Sequence, residues 1–249
     1  MDSINLLGIC GSPRKNGNSR FLLEIALEAA EATAPGVVET ELYSISGKTF
    51  NPCDACNQCH DKLGYCRQTD DDFAELRDKW FAADAIIYSV PVYHMGIPGQ
   101  LKIFLDRLGN SVVDSFESRP VKVIGAMAQG SGISTGQEQT IVFLNNHAVM
   151  MGCIPVGSEW PGGYLGAGGW TRVRQDKKAL RDLYAEGEQD AKFTIEAIKV
   201  QAKFVVQMTQ IIKAGGEQQR KMLEKDGGYD FFLRRLDNKP VIPRKTGQE

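Results

Sequence analysis

The chain has 249 residues, more than one core needs and fewer than two typical domains fill, which predicts one α/β domain with an extension. Hydrophobic residues make up 42% and the formal net charge is -2, so no basic excess exists to recruit nucleic acid or anionic lipid. No run of about 18 apolar residues occurs, and residues 1–5 carry no basic leader with an apolar stretch, so the cytoplasm is the expected compartment and no membrane is expected as a partner. In that reducing setting the clustered cysteines 53–66 read as ligands or redox groups, while Cys10 and Cys153, in apolar strand-like surroundings, read as buried and inert.

Residues 4–9 form a short apolar run that predicts a first strand. It ends at Gly11-Ser12-Pro13, and Leu22, Leu23, Ala26, Ala29 and Ala30 then mark one side of a helix that Pro35-Gly36 stops. Residues 37–43 alternate and are β-branched, as a second strand would be. After the cysteine loop, Asp70-Asp71-Asp72 precede Phe73, Leu76 and Trp80 at helical spacing, and acidic residues at that position complement a helix dipole. Residues 85–90 are the most apolar strand and run into the loop 91–98, with Leu101, Phe104, Leu105 and Leu108 on the following helix. Residues 121–128 predict strand four, 129–132 its exit loop, 137–150 a helix and 153–156 a short fifth strand. Strands alternating with helices imply a parallel, doubly wound sheet, and such sheets bind ligands beyond the carboxyl ends of their strands.

Residues 157–170 are rich in glycine, with Trp160, Tyr164 and Trp170 interspersed, and read as an irregular lid or a plain connection. Ala191, Ile195, Ile198, Ala202, Val205 and Ile212 then stripe a long helix. Phe193, Phe204, Val206 and Met208 widen its apolar surface, which assigns one side to the sheet and another to a second subunit. The end, 217–249, reads as an arm that packs on a partner subunit or as a disordered tail. The domain expectation is therefore 1–170 for the α/β unit and 171–249 for the helical extension.

Residues 11–19 bring Gly11, Ser12, Arg14, Asn18 and Ser19 to a helix start, and each suits a phosphate: backbone N–H groups and the dipole attract the anion, hydroxyls donate, and Arg14 neutralises. The loop is neither a Walker A sequence nor a G-x-G-x-x-G turn, and a merely polar, capped loop is the alternative. With Pro91-Val92-Tyr93-His94 and Gly99-Gln100-Leu101-Lys102, it resembles the flavodoxin-like NAD(P)H-dependent FMN reductases over about residues 3–155. That resemblance implies a five-stranded parallel sheet of order 2-1-3-4-5. It also implies FMN with its phosphate on Ser12, Arg14, Asn18 and Ser19, its ring along Pro91, Val92, Tyr93, His94 and Met95, and its other edge at Ala128, Gln129, Gly130 and Gly132. No protein group is assigned as catalytic, since the flavin N5 carries the hydride. Tyr93 and His94 also admit plain packing and solvated roles.

The spacing Cys53-x2-Cys56-x2-Cys59-x6-Cys66 can wrap a single cubane, with Gly64 easing the return of the chain. Joined to the flavin features, the motif is similar to that of the iron-sulfur flavoproteins, which implies these four cysteines as ligands of a [4Fe-4S] cluster exchanging electrons with FMN. Zinc or free redox thiols are the alternatives. The loop, following strand two, is expected on the carboxyl side of the sheet beside the flavin. The reading is an FMN oxidoreductase using NAD(P)H as donor and a small quinone, nitro or azo acceptor. Its rivals are a ferredoxin-linked electron carrier, a cluster-free reductase and a flavin-binding sensor. A homodimer or homotetramer is implied by the resemblance, with a neighbour's loop or lid near each flavin.

Overall fold

A computed structural model of the chain describes residues 3–59, 64–112, 119–158 and 163–241. Its strands are β1 (Ile4–Cys10), β2 (Val38–Ser44), β3 (Ala85–Pro91), β4 (Val123–Gly130), β5 (Ile154–Val156) and β6 (Ala167–Trp170). They alternate with α1 (Asn18–Thr33), α2 (Phe73–Ala82), α3 (Gly99–Asn110) and α4 (Gln137–Met150), and α5 (Ala179–Ala185), α6 (Gln189–Gln218), α7 (Arg220–Leu223) and α8 (Asp230–Leu236) follow. The sheet is parallel in the order β2-β1-β3-β4-β5, the flavodoxin-like order. No helix among the described residues is long and apolar enough to cross a membrane.

Side chains along each central strand alternate between two cores, as a pleated strand requires. Leu7, Ile9, Ile86, Tyr88 and Ile124 face a core with Trp80, Phe104, Leu108 and Leu144 of α2, α3 and α4. Ile4, Leu6, Ala85, Ile87 and Val123 face the opposite core with Leu22, Leu23 and Ala26 of α1 and Ile195, Ile198, Ala202 and Val205 of α6. The helix of the extension is thus half the cover of one sheet face. Val206 is buried in that core, and Phe204 and Met208 pack against it, so the apolar side expected to meet a second subunit is largely used within the chain. Phe193 alone of that group is exposed.

One expectation is corrected here. The glycine-rich stretch ends in β6, which pairs in parallel with Met127 to Gly130 of β4, just beyond β5. The upper edge of β4 needs backbone partners, and small residues let the chain come close. A Cβ on Gly166 would lie 2.3 Å from the Ala126 carbonyl oxygen, and one on Gly169 2.7 Å from Thr194. Trp160 lies outside the described residues. The C-terminal segment packs on its own chain: Phe231 meets Phe81 edge-on at 5.5 Å, and Arg235 donates to the Pro120 carbonyl at 2.5 Å and faces Asp84 at 3.5 Å. Residues 242–249 lie outside the described residues.

The connection from β2 to α2 is held by one buried ion pair. Arg107 of α3 and Asp71 are each 1% exposed. Asp71 accepts the N–H groups of Asn51 and Phe73 at 2.8 and 3.2 Å, while Arg107 donates to the carbonyls of Asn51 and Gln68 at 3.1 and 3.0 Å and stacks 4.1 Å from the Phe73 ring. Asn51 and Gln68 are the two feet of the cysteine loop. Of the three aspartates read as helix-start charges, Asp71 is therefore the clamp of that loop.

Removing one partner of a buried pair strands the other charge, so Asp71→Ala is expected to lower unfolding stability by about 3–5 kcal/mol, measured by denaturant titration. His147 of α4 supplies a pH dependence. Its Nε2 is buried without a partner among the described residues, and burial lowers its pKa from 6.5 to about 4. The unfolded chain takes up this proton near 6.5 and the folded one resists until about 4, so stability is lost as pH falls through that window, by about 3 kcal/mol in all. His147→Gln should flatten that part of the stability curve.

Candidate functional site

Above the carboxyl ends of β1, β3 and β4 lies a half-open cleft of about 190 Å³. Ser12, Arg14, Gly17 and Asn18 enter from the first exit loop, Pro91, Val92 and Tyr93 from the second, and Gln129, Gly130 and Ser131 from the third. Eight of the residues read from the sequence therefore line one cavity. Ser19 adjoins it at 1% exposure. Ala128 is buried in β4, and Gly132 lies past the cleft with its carbonyl taken by Thr135 and Gln137. His94 and Met95 sit at a turn tip and do not line the cavity.

The end of the cleft at α1 is built for an anion. Gly17 caps the helix without a side-chain hydrogen bond, and no acidic residue occupies the first turn. The N–H groups of that turn are left unspent, at the positive end of the helix dipole. Ser19 Oγ is buried with no partner among the described residues, a state a native hydroxyl rarely keeps unless something binds there. Ser12 Oγ accepts the Arg14 N–H at 3.2 Å and shapes the loop, leaving Arg14 exposed and without an ion pair among the described residues. The Asn18 side chain is committed elsewhere: it accepts from the Leu180 N–H at 3.0 Å and donates to the Asp176 carbonyl at 3.4 Å.

The other end is a tight turn. Tyr93 and Gly96 exchange backbone hydrogen bonds of 2.8 and 3.1 Å, with His94 at φ 47 and Met95 at φ 68 between them. Left-handed conformations at two successive non-glycine residues cost roughly 1–3 kcal/mol each and persist only where packing holds them. Here α4 presses on the turn, since a Cβ on Gly136 would lie 2.8 Å from the Met95 Cα. The Val92 N–H donates to the Gln129 carbonyl at 2.8 Å and joins the second and third loops. The half-exposed ring of Tyr93 can wall a planar ligand.

The cysteine loop takes a different place from the one expected. Its first foot leaves the carboxyl edge, where the Ile45 N–H donates to the Cys10 carbonyl at 3.1 Å, and the chain then runs along α3. Phe50 meets Phe104 at 5.7 Å, and the loop arrives at Asn110, the last residue of α3. The Cys59 thiol donates to the Asn110 carbonyl at 3.2 Å, while Asn110 Nδ2 and the Ala55 N–H approach Cys53 Sγ at 3.5 and 3.4 Å. The eleven helical steps from Gly99 to Asn110 span roughly 16 Å, so these sulfurs lie at the end of α3 away from the residues that follow the cleft turn. The hydrophobic floor of the loop, Phe50 on α3, draws it there, and strand order alone does not show that.

Burial raises the pKa of Cys59, and the charges of Cys53, Cys56 and Cys66 raise it further, so each of those three sulfurs lies within electrostatic reach of Cys59. As placed, no three His, Cys, Asp or Glu side chains among the described residues converge closely enough to hold a metal ion. The donor chemistry nevertheless suits thiolate ligands, because sulfur accepts the N–H groups of Ala55 and Asn110. His60 lies outside the described residues. Cys10 and Cys153 are both buried, and burial pushes the Cys153 thiol up to about 11, too high for a ready nucleophile.

The sequence reading missed one wall of the cleft. Thr171, Arg174, Gln175, Asp176 and Lys177, after β6, complete it. The cation-rich run Arg172-Val173-Arg174 was the available signal.

Residues 4–162 match the family model described as NADPH-dependent FMN reductase. An iron-sulfur flavoprotein of Methanocaldococcus jannaschii is 37% identical over 175 residues, 70% of this chain and 87% of that one. Another, of Methanosarcina thermophila, is 34% identical over 180 residues, 72% and 90% of the two chains. An NAD(P)H-dependent FMN reductase of Pseudomonas aeruginosa is 30% identical over 149 residues, 59% and 74% of the two. The crystal structure of RosB with a bound 8-demethyl-8-formylriboflavin-5'-phosphate intermediate shares the fold, with a TM-score of 0.60 at 16% identity over 99% of this chain and 97% of that one. An anion cradle at the start of α1, a turn set to wall a planar ring and these likenesses converge: the chain belongs to the NADPH-dependent FMN reductase family, in its iron-sulfur flavoprotein branch, and is an FMN-dependent oxidoreductase.

Proposed function

We propose that the protein takes electrons from NAD(P)H onto FMN in the cleft and exchanges them with a [4Fe-4S] cluster held by Cys53, Cys56, Cys59 and Cys66. The flavin part rests on one observation above others, the unspent first turn of α1 over the unpartnered Ser19 hydroxyl. Bound FMN supplies the exchange between two-electron and one-electron transfer. The chain's own residues bind and orient it: Ser12, Ser19 and Arg14 face the phosphate, and Pro91, Val92 and Tyr93 lie along the ring. The amides of the tip, His94 and Met95, offer donors near a ring that gains negative charge. The cluster part is supported by the cysteine spacing, the N–H···S contacts and the naming of the relatives.

The place of the sulfurs, at the end of α3 away from the cleft turn, favours a path between subunits, and we assign the cluster to a neighbour's flavin in a homodimer or homotetramer. A second reading has a specific observation behind it. Cys53 is exposed at the surface, which suits electron exchange with a ferredoxin-like protein in place of a small quinone, nitro or azo acceptor.

Anaerobically purified protein is expected to contain about four irons per chain, with flavin bands and a broad visible shoulder that bleaches on reduction. Cys56→Ala should lose most of the iron and keep the flavin. Stoichiometric zinc with no iron would sink the cluster, and flavin bands without either metal would leave a plain FMN reductase. Stopped-flow reduction separates the donors: NADPH is expected to bleach the flavin within a single turnover, whereas rapid bleaching by reduced ferredoxin alone would favour the carrier.

A further inference from the structure

The wall of the cleft that the sequence reading missed lies beyond the stretch matched to the family, residues 4–162, yet it is built into the site. Residues 171–177 are anchored from three directions. The N–H groups of Thr171 and Val173 donate to the carbonyls of Gly130 and Ser131 at 3.0 and 2.7 Å, tying the segment to the exit of β4. The buried Asn18 side chain, at the first residue of α1, grips Asp176 and Leu180. On the outer side Arg172 pairs with Glu188 at 2.8 Å and Asp190 at 3.0 Å, and Arg174 pairs with Glu186 at 2.7 Å.

Between these anchors the chain turns tightly, with the Arg174 N–H on the Thr171 carbonyl at 3.0 Å and Arg172 and Val173 at φ 51 and φ 63. A β-branched residue keeps that conformation only where its surroundings hold it. The segment is therefore fixed across the anion end of the cleft.

The charges decide which side chain is free to act. The carboxylate of Glu186 occupies the Arg174 guanidinium, and Asp176 turns its carboxylate to the Lys178 N–H at 2.7 Å. Lys177 lines the cleft, is exposed and has no ion pair among the described residues, and the same holds for Arg14 of the first exit loop. An anion at the start of α1 would share the cleft with two uncompensated cations.

We propose that residues 171–177 form a phosphate strap, in which Lys177 supplies a second cation to the terminal phosphate of the flavin and selects phosphorylated over unphosphorylated flavin. This rests on the reading that the loop after β1 holds that phosphate.

Binding of FMN and of riboflavin to flavin-stripped protein tests the assignment, since the two ligands share the ring and differ at the phosphate. Lys177→Gln is expected to weaken FMN about ten-fold, to change riboflavin less than about two-fold and to flatten the salt dependence of FMN binding. Arg174→Gln, whose charge is already met by Glu186, should alter FMN affinity much less. If wild type prefers FMN and Lys177→Gln binds it unchanged, the strap is overturned while the cradle stands. Equal weakening of both ligands overturns it as well, because the lysine would then only support the site. If wild type binds riboflavin as tightly as FMN, the cradle reading fails and the strap with it.

Discussion

A parallel sheet buries both faces, and here that obligation organises the whole chain. The crossover helices α2, α3 and α4 cover one face and α1 half of the other. The remaining half falls to α6, 30 residues long, which begins only after the chain has paired with β4 twice, in β5 beside its first residues and in β6 beside its last. A helix needed for the core thus forces the preceding segment to cross the mouth of the cleft. Residues 171–177 lie against the cleft because the chain has to reach the start of α6 from the end of β6.

The same edge explains where binding groups come from. Strands that stop leave loops with backbone donors and no ladder partner, and the first helix starts there with its dipole pointing outward. Ser19 Oγ is left without a partner among the described residues, while Asn18 beside it is spent on the extension. Adjacent residues of the first turn of α1 are therefore used differently, one hydroxyl uncommitted and one amide spent on folding. Two strained turns sit at the same rim, at His94-Met95 and Arg172-Val173, where packing from α4 and ion pairs from the ends of α5 and α6 hold them.

The cysteine loop obeys a separate constraint. Its feet are clamped by Arg107 and Asp71 in the core, and its span rests on the last turn of α3, where Asn110 meets two of the sulfurs. The clamp fixes the cysteine loop to the same helix that follows the turn at His94-Met95, so loop and cleft are joined through the two ends of α3.

Periodicity and composition by themselves determined the strands β1 to β5, their helices and the loops that meet at the cleft, because buried strands and amphipathic helices write their burial directly into residue type. Resemblance in the loops at 11–19 and 91–95 pointed to the flavin. Tertiary structure alone decided three things. β6 was hidden because four residues with two glycines carry no strand pattern, and only the open edge of β4 makes them one. Asp71 reads as a helix-start charge until Arg107, 36 residues away, is placed beside it. Lys177 reads as one of many surface cations, and only the fold shows which acidic side chains neutralise its neighbours and leave it free at the cleft.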